Sequence, residues 1–278
     1  MSLLKRILKK RLASMALLFL ILLTIVAALA PWISPRDPTK MNYTDVLAPP
    51  SGEFLFGTDY AGRDVLSRVI YGSRITLRVS FLAVILAIFA GTTSGLLAGF
   101  SGGWLDNLLM RVIDIMMSIP SVLLAIVIIG AFGPGLNKVI IAIGIVSIPT
   151  YARLSRGSTL SVKEEDYIES AKAVGCSNTR VVMKHILPNI FTSLLTYSTL
   201  RLAVAIITTA TLGFLGLGAQ PPTPEWGTML SEARNYLRDS WWMSTFPGLA
   251  ITITVLSLNI LGDALRDVLD PRMKDINR

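Results

Sequence analysis

The chain of 278 residues has one cysteine and one histidine, and only 16% of it is charged, against about 25% in an average soluble domain. Cys176 has no second cysteine to pair with, which excludes a disulfide scaffold. Cys176 and His185 cannot by themselves build a metal cluster or a nucleophilic pair, so no metal site is expected. The pattern G-x-x-x-x-G-K-[ST] is missing too, so the chain carries no P-loop of its own. With 52% hydrophobic residues and no Gly triplet period, disorder and collagen are excluded.

What remains is long uncharged runs. A bilayer core takes about 20 apolar helical residues at about 1.5 Å each. Six segments qualify: residues 12–35, 79–105, 115–137, 139–152, the first half of 185–224, and 240–262. The fourth is short and reaches full length only if Lys138 snorkels to the interface. With alternating spans and an inner N-terminus, 16 of the 26 Lys and Arg fall in cytoplasmic pieces and 8 in outer ones, leaving Arg78 and Arg201 within spans. That asymmetry follows the positive-inside rule and places both termini in the cytoplasm. The net charge of +8 is therefore read as loop charge beside membrane lipid, and no nucleic acid is expected. The first run, with its basic start and Ala28-Leu29-Ala30, could pass for a signal peptide; its length and Pro31 favour a retained anchor.

Acids are placed as tellingly as bases. None of the 18 Asp and Glu falls mid-span; Asp114, near the start of the third span, comes closest and can pair with Arg111 one turn earlier. Ion-coupled transporters usually hold their ion on a mid-membrane carboxylate or on unwound carbonyls. A solute moved uphill here would draw its energy from another subunit. Arg201 is the exception inside a span. At a helix centre it costs about 2.5–3.5 kcal/mol, so it should face the bundle interior, as a lining group of a path or in a structural ion pair. Gly91, Gly95 and Gly99 recur every four residues and leave one helix face nearly bare, suited to close packing. Met116 and Met117 read as span packing.

Between the spans, Pro31, Pro35, Pro38, Pro49 and Pro50 argue for an extended stretch, followed by a Gly-punctuated turn at 57–64 and an amphipathic piece over 65–74. Residues 153–188 form the longest polar cytoplasmic stretch: a short helix from about Tyr167, a break at Gly175, and a second helical run toward Pro188. Such a pair held at the membrane surface looks like a docking element. Residues 213–242 combine Gly213, Gly216, Gly218, Pro221, Pro222, Pro224, Trp226, Trp241 and Trp242, suggesting a re-entrant or surface-lying piece with interfacial aromatics.

Within the cytoplasmic stretch, Glu169-Ser170-Ala171, three residues, Gly175, nine residues and His185-Ile186-Leu187-Pro188 resemble the E-A-A-x3-G-x9-I-x-L-P loop of bacterial ABC importer permeases. Ser170 stands for the second Ala and His185 for the Ile. The likeness extends along the chain, through residues 31–38, 57–68, 214–218 with Pro221-Pro222 and Trp226-Gly227, and 261–271. In order and spacing these are similar to the second permease subunit of dipeptide, oligopeptide and nickel importers.

The resemblance implies an all-α polytopic membrane protein of six transmembrane helices with the type I ABC importer permease fold, in a bacterial inner membrane. Residues 1–70 would hold the added first helix and outer loop, 71–263 the permease domain, and 264–278 a cytoplasmic tail. It implies a heterodimer with a homologous permease, two cytoplasmic ATP-binding subunits that carry the ATP and Mg, and an extracytoplasmic substrate-binding protein, with no cofactor and no catalysis on this chain. Glu165, Glu169, Ser170, Ala171, Gly175, His185, Leu187 and Pro188 would form the ATPase-coupling element, with Ser170 and Ala171 as a small-residue approach face. Arg201 is the candidate for the path, and short peptides are the expected cargo. Nickel or a metal–chelator complex is the alternative cargo, and an ion-coupled secondary transporter the alternative of another class.

Overall fold

The computed structural model describes residues 10–269. Lys5, Arg6, Lys9, Arg272, Lys274 and Arg278, counted above as cytoplasmic charge, lie outside the described residues, as does most of the expected tail. Among the described residues ten α-helices run in order: α1 (Arg11–Ile33), α2 (Val65–Ser101), α3 (Gly103–Ser118), α4 (Ser121–Phe132), α5 (Leu136–Lys163), α6 (Asp166–Ala173), α7 (Asn178–Val181), α8 (Leu187–Phe214), α9 (Trp226–Ala233) and α10 (Trp242–Leu269). A π-helical turn, Val182–Ile186, joins α7 to α8. No strand occurs among the described residues; one isolated bridge links Thr58 and Asp64. Five helical stretches among the described residues are long and apolar enough to cross a membrane: α1, α2, α5, α7 through α8, and α10. The bent pair α3–α4 makes a sixth if counted as one span.

The seam between α2 and α5 is the most extensive in the bundle. A β-carbon at Gly91 would lie 2.5 Å from the Tyr151 Cβ, and one at Gly99 3.0 Å from the Thr159 Cβ; at Gly95 it would overlap the Ala152 carbonyl. The bare face therefore admits α5 backbone directly. Rising numbers on α2 meet rising numbers on α5, so the two helices run parallel, with α3–α4 returning between them. At the seam's end, Lys163 Nζ donates to the Phe100 carbonyl (2.9 Å). Helix α8 packs on α10, where Leu200 and Thr199 fill the place of a side chain at Gly262. Helix α1 lies on α2 and α10, tied at its start by Lys10 to Asp267 (2.6 Å).

Several boundaries differ from the sequence reading. The amphipathic piece 65–74 and the second span are one helix of 37 residues, capped by Asp64, whose carboxylate accepts the Ser67 N–H. That helix stops at Ser101 rather than running to 105, because Gly102 and Gly103 both take positive φ. The third span is not one rod over 115–137. It breaks at Ile119–Pro120 with a 94° bend, since Pro120 excludes its predecessor from the helical region. The fourth segment, short in sequence, lies near the start of a 28-residue helix. Its charged continuation, Arg153 to Lys163, stays helical because Arg153 pairs with Asp114 (2.6 Å) and Arg156 grips Asp106 through two bonds of 2.6 Å. Asp114 thus meets Arg153, not Arg111. Pro31 lies in the last turn of α1 rather than beyond it, where only one helical bond is lost.

Candidate functional site

Three places concentrate polar groups. At the end that the charge count assigns to the outside, residues 34–64 and 215–241 fold together. Asp59, Arg63, Arg68 and Glu232 form a buried ionic cluster: Arg63 Nε to Asp59 Oδ2 at 2.6 Å, Arg63 to Glu232 at 3.2 Å, and Arg68 to Glu232 at 2.9 Å. Arg68 also donates to the carbonyls of Pro38 and Pro222, each at 3.2 Å. Burial works against the Arg63 charge, but Asp59 and Glu232 outweigh it and hold the guanidinium above its ordinary pKa; burial, with Glu232, raises the Tyr60 phenol. Sequence reading counted Arg63 and Arg68 as loop positives and could not see Glu232, which lies 169 and 164 residues away in the chain.

Helix α9 wedges into the same unit. Its N-cap, Glu225, accepts the Gly227 and Thr228 N–H groups and the Thr76 hydroxyl. Burial raises this carboxyl, with those three bonds pulling the other way. The tryptophans expected at the interface are split. Trp226 is fully buried and donates to the Val69 carbonyl (3.0 Å), and Trp242 is buried and donates to Thr58 (2.9 Å); Trp241 alone of the three is exposed. An indole with a backbone acceptor to reach is stable inside the fold.

At the opposite end, α6, Gly175 and α7 form a helix–turn–helix. Gly175 stands at φ +85°. Its N–H bonds to the Lys172 carbonyl, and the Cys176 N–H to that of Ala171, each at 3.0 Å, a Schellman ending that needs the left-handed residue at this point. Glu165 is the exposed N-cap residue; Glu169 and Ser170 are exposed on α6. Ala171 differs from expectation. It shares the inward face with Ile168, three residues earlier, and is buried in its own chain. The outward face of the loop instead carries Glu169, Ser170, Lys172 and Val174, the last 82% exposed. His185 sits in the π-turn with its ring 6.3 Å from that of Tyr167. Asn189 donates to both the Tyr167 hydroxyl and the His185 carbonyl, a tether the sequence did not suggest. Ile186, Ile190 and Val181 anchor the element in the main core with Leu187 half-buried beside them, while Pro188 is exposed at the first turn of α8.

The third place is a cavity of about 300 Å³ between α3–α4, α5 and α8, lined by Met116, Met117, Ile119, Pro120, Ser121, Ser147, Thr150, Thr208 and Arg201 among others. Arg201 lies half-way along α8. One terminal nitrogen donates to the Ser147 hydroxyl at 3.3 Å, and its Nε is buried without a hydrogen-bond partner. Of the lining groups, sequence reading singled out only Arg201 for this role. Met116 and Met117 are wall residues here, and the hydroxyls of Ser147, Thr150 and Thr208 carry no signal in an apolar run.

Residues 91–275 match the family described as "Binding-protein-dependent transport system inner membrane component", and residues 2–50 match "N-terminal TM domain of oligopeptide transport permease C". The chain is 44% identical over 265 residues to a di/tripeptide transport system permease protein of Pseudomonas aeruginosa (93% of this chain, 88% of that one). It is 46% identical over 271 residues to a glutathione transport system permease protein of Escherichia coli O157:H7 (97% and 89%). Among solved structures, an inward-facing methionine ABC transporter aligns with TM-score 0.60 at 22% identity, over 73% of this chain and 97% of that one; at that identity the likeness concerns the fold.

Proposed function

Since the chain belongs to the binding-protein-dependent transport system inner membrane components, we propose that it forms half of the translocation path of an ATP-driven importer of short peptides. It is a transport component of the inner membrane with the type I permease fold. The observation that carries the peptide reading is likeness along 93–97% of the chain to permeases of di/tripeptides, dipeptides and glutathione.

Each of the three polar places has a task in this reading. The outer unit of residues 34–64 and 215–241 receives cargo from an extracytoplasmic binding protein. The cavity at Arg201 lies on the path. The α6–Gly175–α7 element, with Glu165, Glu169, Ser170, Ala171, Gly175, His185, Leu187 and Pro188, docks on a cytoplasmic ATPase, and two such ATPases hold the ATP and Mg. A homologous permease supplies the other half of the path; residues 71–263 are the permease domain and 1–70 the added helix and outer loop. ATP binding closes the ATPase dimer, moves α6, and rocks the two permeases from inward- to outward-open; hydrolysis resets them.

The test is reconstitution of the co-purified complex with its binding protein. Short peptides should stimulate ATP hydrolysis and accumulate in the vesicles, and nickel chelates should do neither. Stimulation by nickel chelates alone would overturn the peptide reading.

A further inference from the structure

We propose that the cavity at the α3–α4 break receives the terminal carboxylate of the peptide in transit, with Arg201 as its counter-ion. The inference rests on the peptide-importer reading and names the chemical group by which the path handles its cargo.

Two independent features make the cavity an anion site. The first is the guanidinium. It lies 14 residues into α8, about 20 Å along the helix from its start. No carboxylate among the described residues pairs with it: the ion pairs formed by Arg63, Arg68, Arg153 and Arg156 all lie elsewhere, and Arg201 makes one long bond to Ser147. A guanidinium has five N–H donors, and its buried Nε–H is unused. Such a group at mid-helix calls for a further acceptor, which the described residues do not supply to its Nε–H.

The second is the start of α4. Pro120 and Ser121, its N-cap and first residue, line the same cavity as Arg201. No side chain caps this helix, and the earliest α-helical bond into it is from Leu124 N–H to the Pro120 carbonyl. Pro120 has no N–H, so it is the free N–H of Ser121, with the positive end of the dipole of a 12-residue helix, that stands at the cavity wall. A broken membrane helix that offers its N-terminus to an anionic group near mid-membrane is a physically favourable arrangement. Arg201 alone would be a point of positive charge; with α4 the cavity becomes a two-sided cradle for one anion.

The occupant follows from the cargo class. Short peptides differ in every side chain but share a free terminal carboxylate, the group that a guanidinium binds with charge-assisted bonds. At about 300 Å³ the cavity is at the small end of ligand pockets, so it holds a terminal group and not a long chain. Hydroxyls of Ser147, Thr150 and Thr208 can solvate the rest of the passing residue.

The experiment uses the whole complex in proteoliposomes with saturating binding protein. Uptake kcat/KM is measured for trialanine and for trialanine amide, in wild type, R201Q and R201K. Taking the acid-to-amide ratio in each variant divides out any preference of the binding protein. The ratio should fall about tenfold or more in R201Q, the range a charge-assisted hydrogen bond supports, and by less in R201K. An unchanged ratio, with both cargoes slowed equally or neither slowed, overturns the proposal. If R201Q fails to assemble with its partners, R201K decides in the same way, a shifted ratio supporting and an unchanged one overturning. Failure of both variants to assemble would show that Arg201 serves the assembly itself, and also overturns it. Wild-type vesicles that take up neither peptide would instead refute the peptide-importer reading itself.

Discussion

At Gly175 the backbone adopts φ +85°, and a β-carbon there would meet nothing within 4 Å. Space is therefore not the constraint; conformation is. A side chain in the left-handed region costs roughly 1–2 kcal/mol, enough at about 1.4 kcal/mol per tenfold to depopulate the turn. Because Ile168, Val181 and Ile186 would still hold the flanking helices in the core, G175L should insert and assemble while the angle between α6 and α7 is lost. Peptide uptake is expected to fall about tenfold or more, with ATP hydrolysis no longer stimulated by loaded binding protein. Vesicle uptake and ATPase assays on the same preparation check this, and normal uptake would sink the coupling role of the turn. Ala171 teaches the complementary lesson. A small residue in a docking motif reads as an approach surface, yet here its smallness serves the chain's own packing.

Among the elements, the α2–α5 seam and the α3–α4 break set the geometry of everything else. The seam fixes two parallel helices at backbone contact, which is possible only because Gly91, Gly95 and Gly99 present no side chains. Overpacking a close contact costs about 1–3 kcal/mol; G95L should exceed G99A, because a β-carbon at Gly95 overlaps the Ala152 carbonyl while one at Gly99 comes no nearer than 3.0 Å to the Arg156 carbonyl oxygen and Thr159, and alanine adds nothing beyond that carbon. In detergent extracts G95L should lower the thermal midpoint of the purified complex by several degrees and G99A by less. An equal effect of the two would show that the seam is looser than its contacts imply. The break turns α4 away from α3 and so opens the cavity beside Arg201. Ion pairs from Asp106 and Asp114 to α5 hold α3 on that helix up to the bend.

On the scale of the molecule, the folded outer unit and the α6–α7 loop lie at opposite ends of the bundle, with the Arg201 cavity between them. Large apolar side chains such as Phe89, Trp104, Val127 and Phe132 are exposed along the helices, as expected of surfaces meant for lipid and a second permease. Among the described residues no carboxylate pairs with Arg201. Dissipating the proton gradient with ATP held constant should therefore leave peptide uptake unchanged in vesicles or starved, ATP-supplied cells. Arrest of uptake under those conditions would favour an ion-coupled transporter.

Amphiphilic and local signals were legible before any fold was known. Hydrophobic runs located the spans, because burying apolar helix in lipid depends on composition over about 20 residues and not on partners. The Gly91–Gly95–Gly99 spacing and the helix–Gly–helix of the inner loop were also readable, since each is set within a few residues of sequence. The break at Pro120 was written in the sequence but hidden by an uninterrupted apolar run. The charged extension of α5 looked like loop because its ion-pair partners, Asp106 and Asp114, sit 50 and 39 residues away. The same holds for the Asp59–Arg63–Arg68–Glu232 cluster, for the burial of Trp226 and Trp242, and for the cavity that sets Arg201 against Ser147 with no carboxylate among the described residues beside it. Patterns with a period declare which solvent an element prefers. Which charge meets which, and which is left without a partner, depends on contacts between distant segments and exists only in the folded bundle.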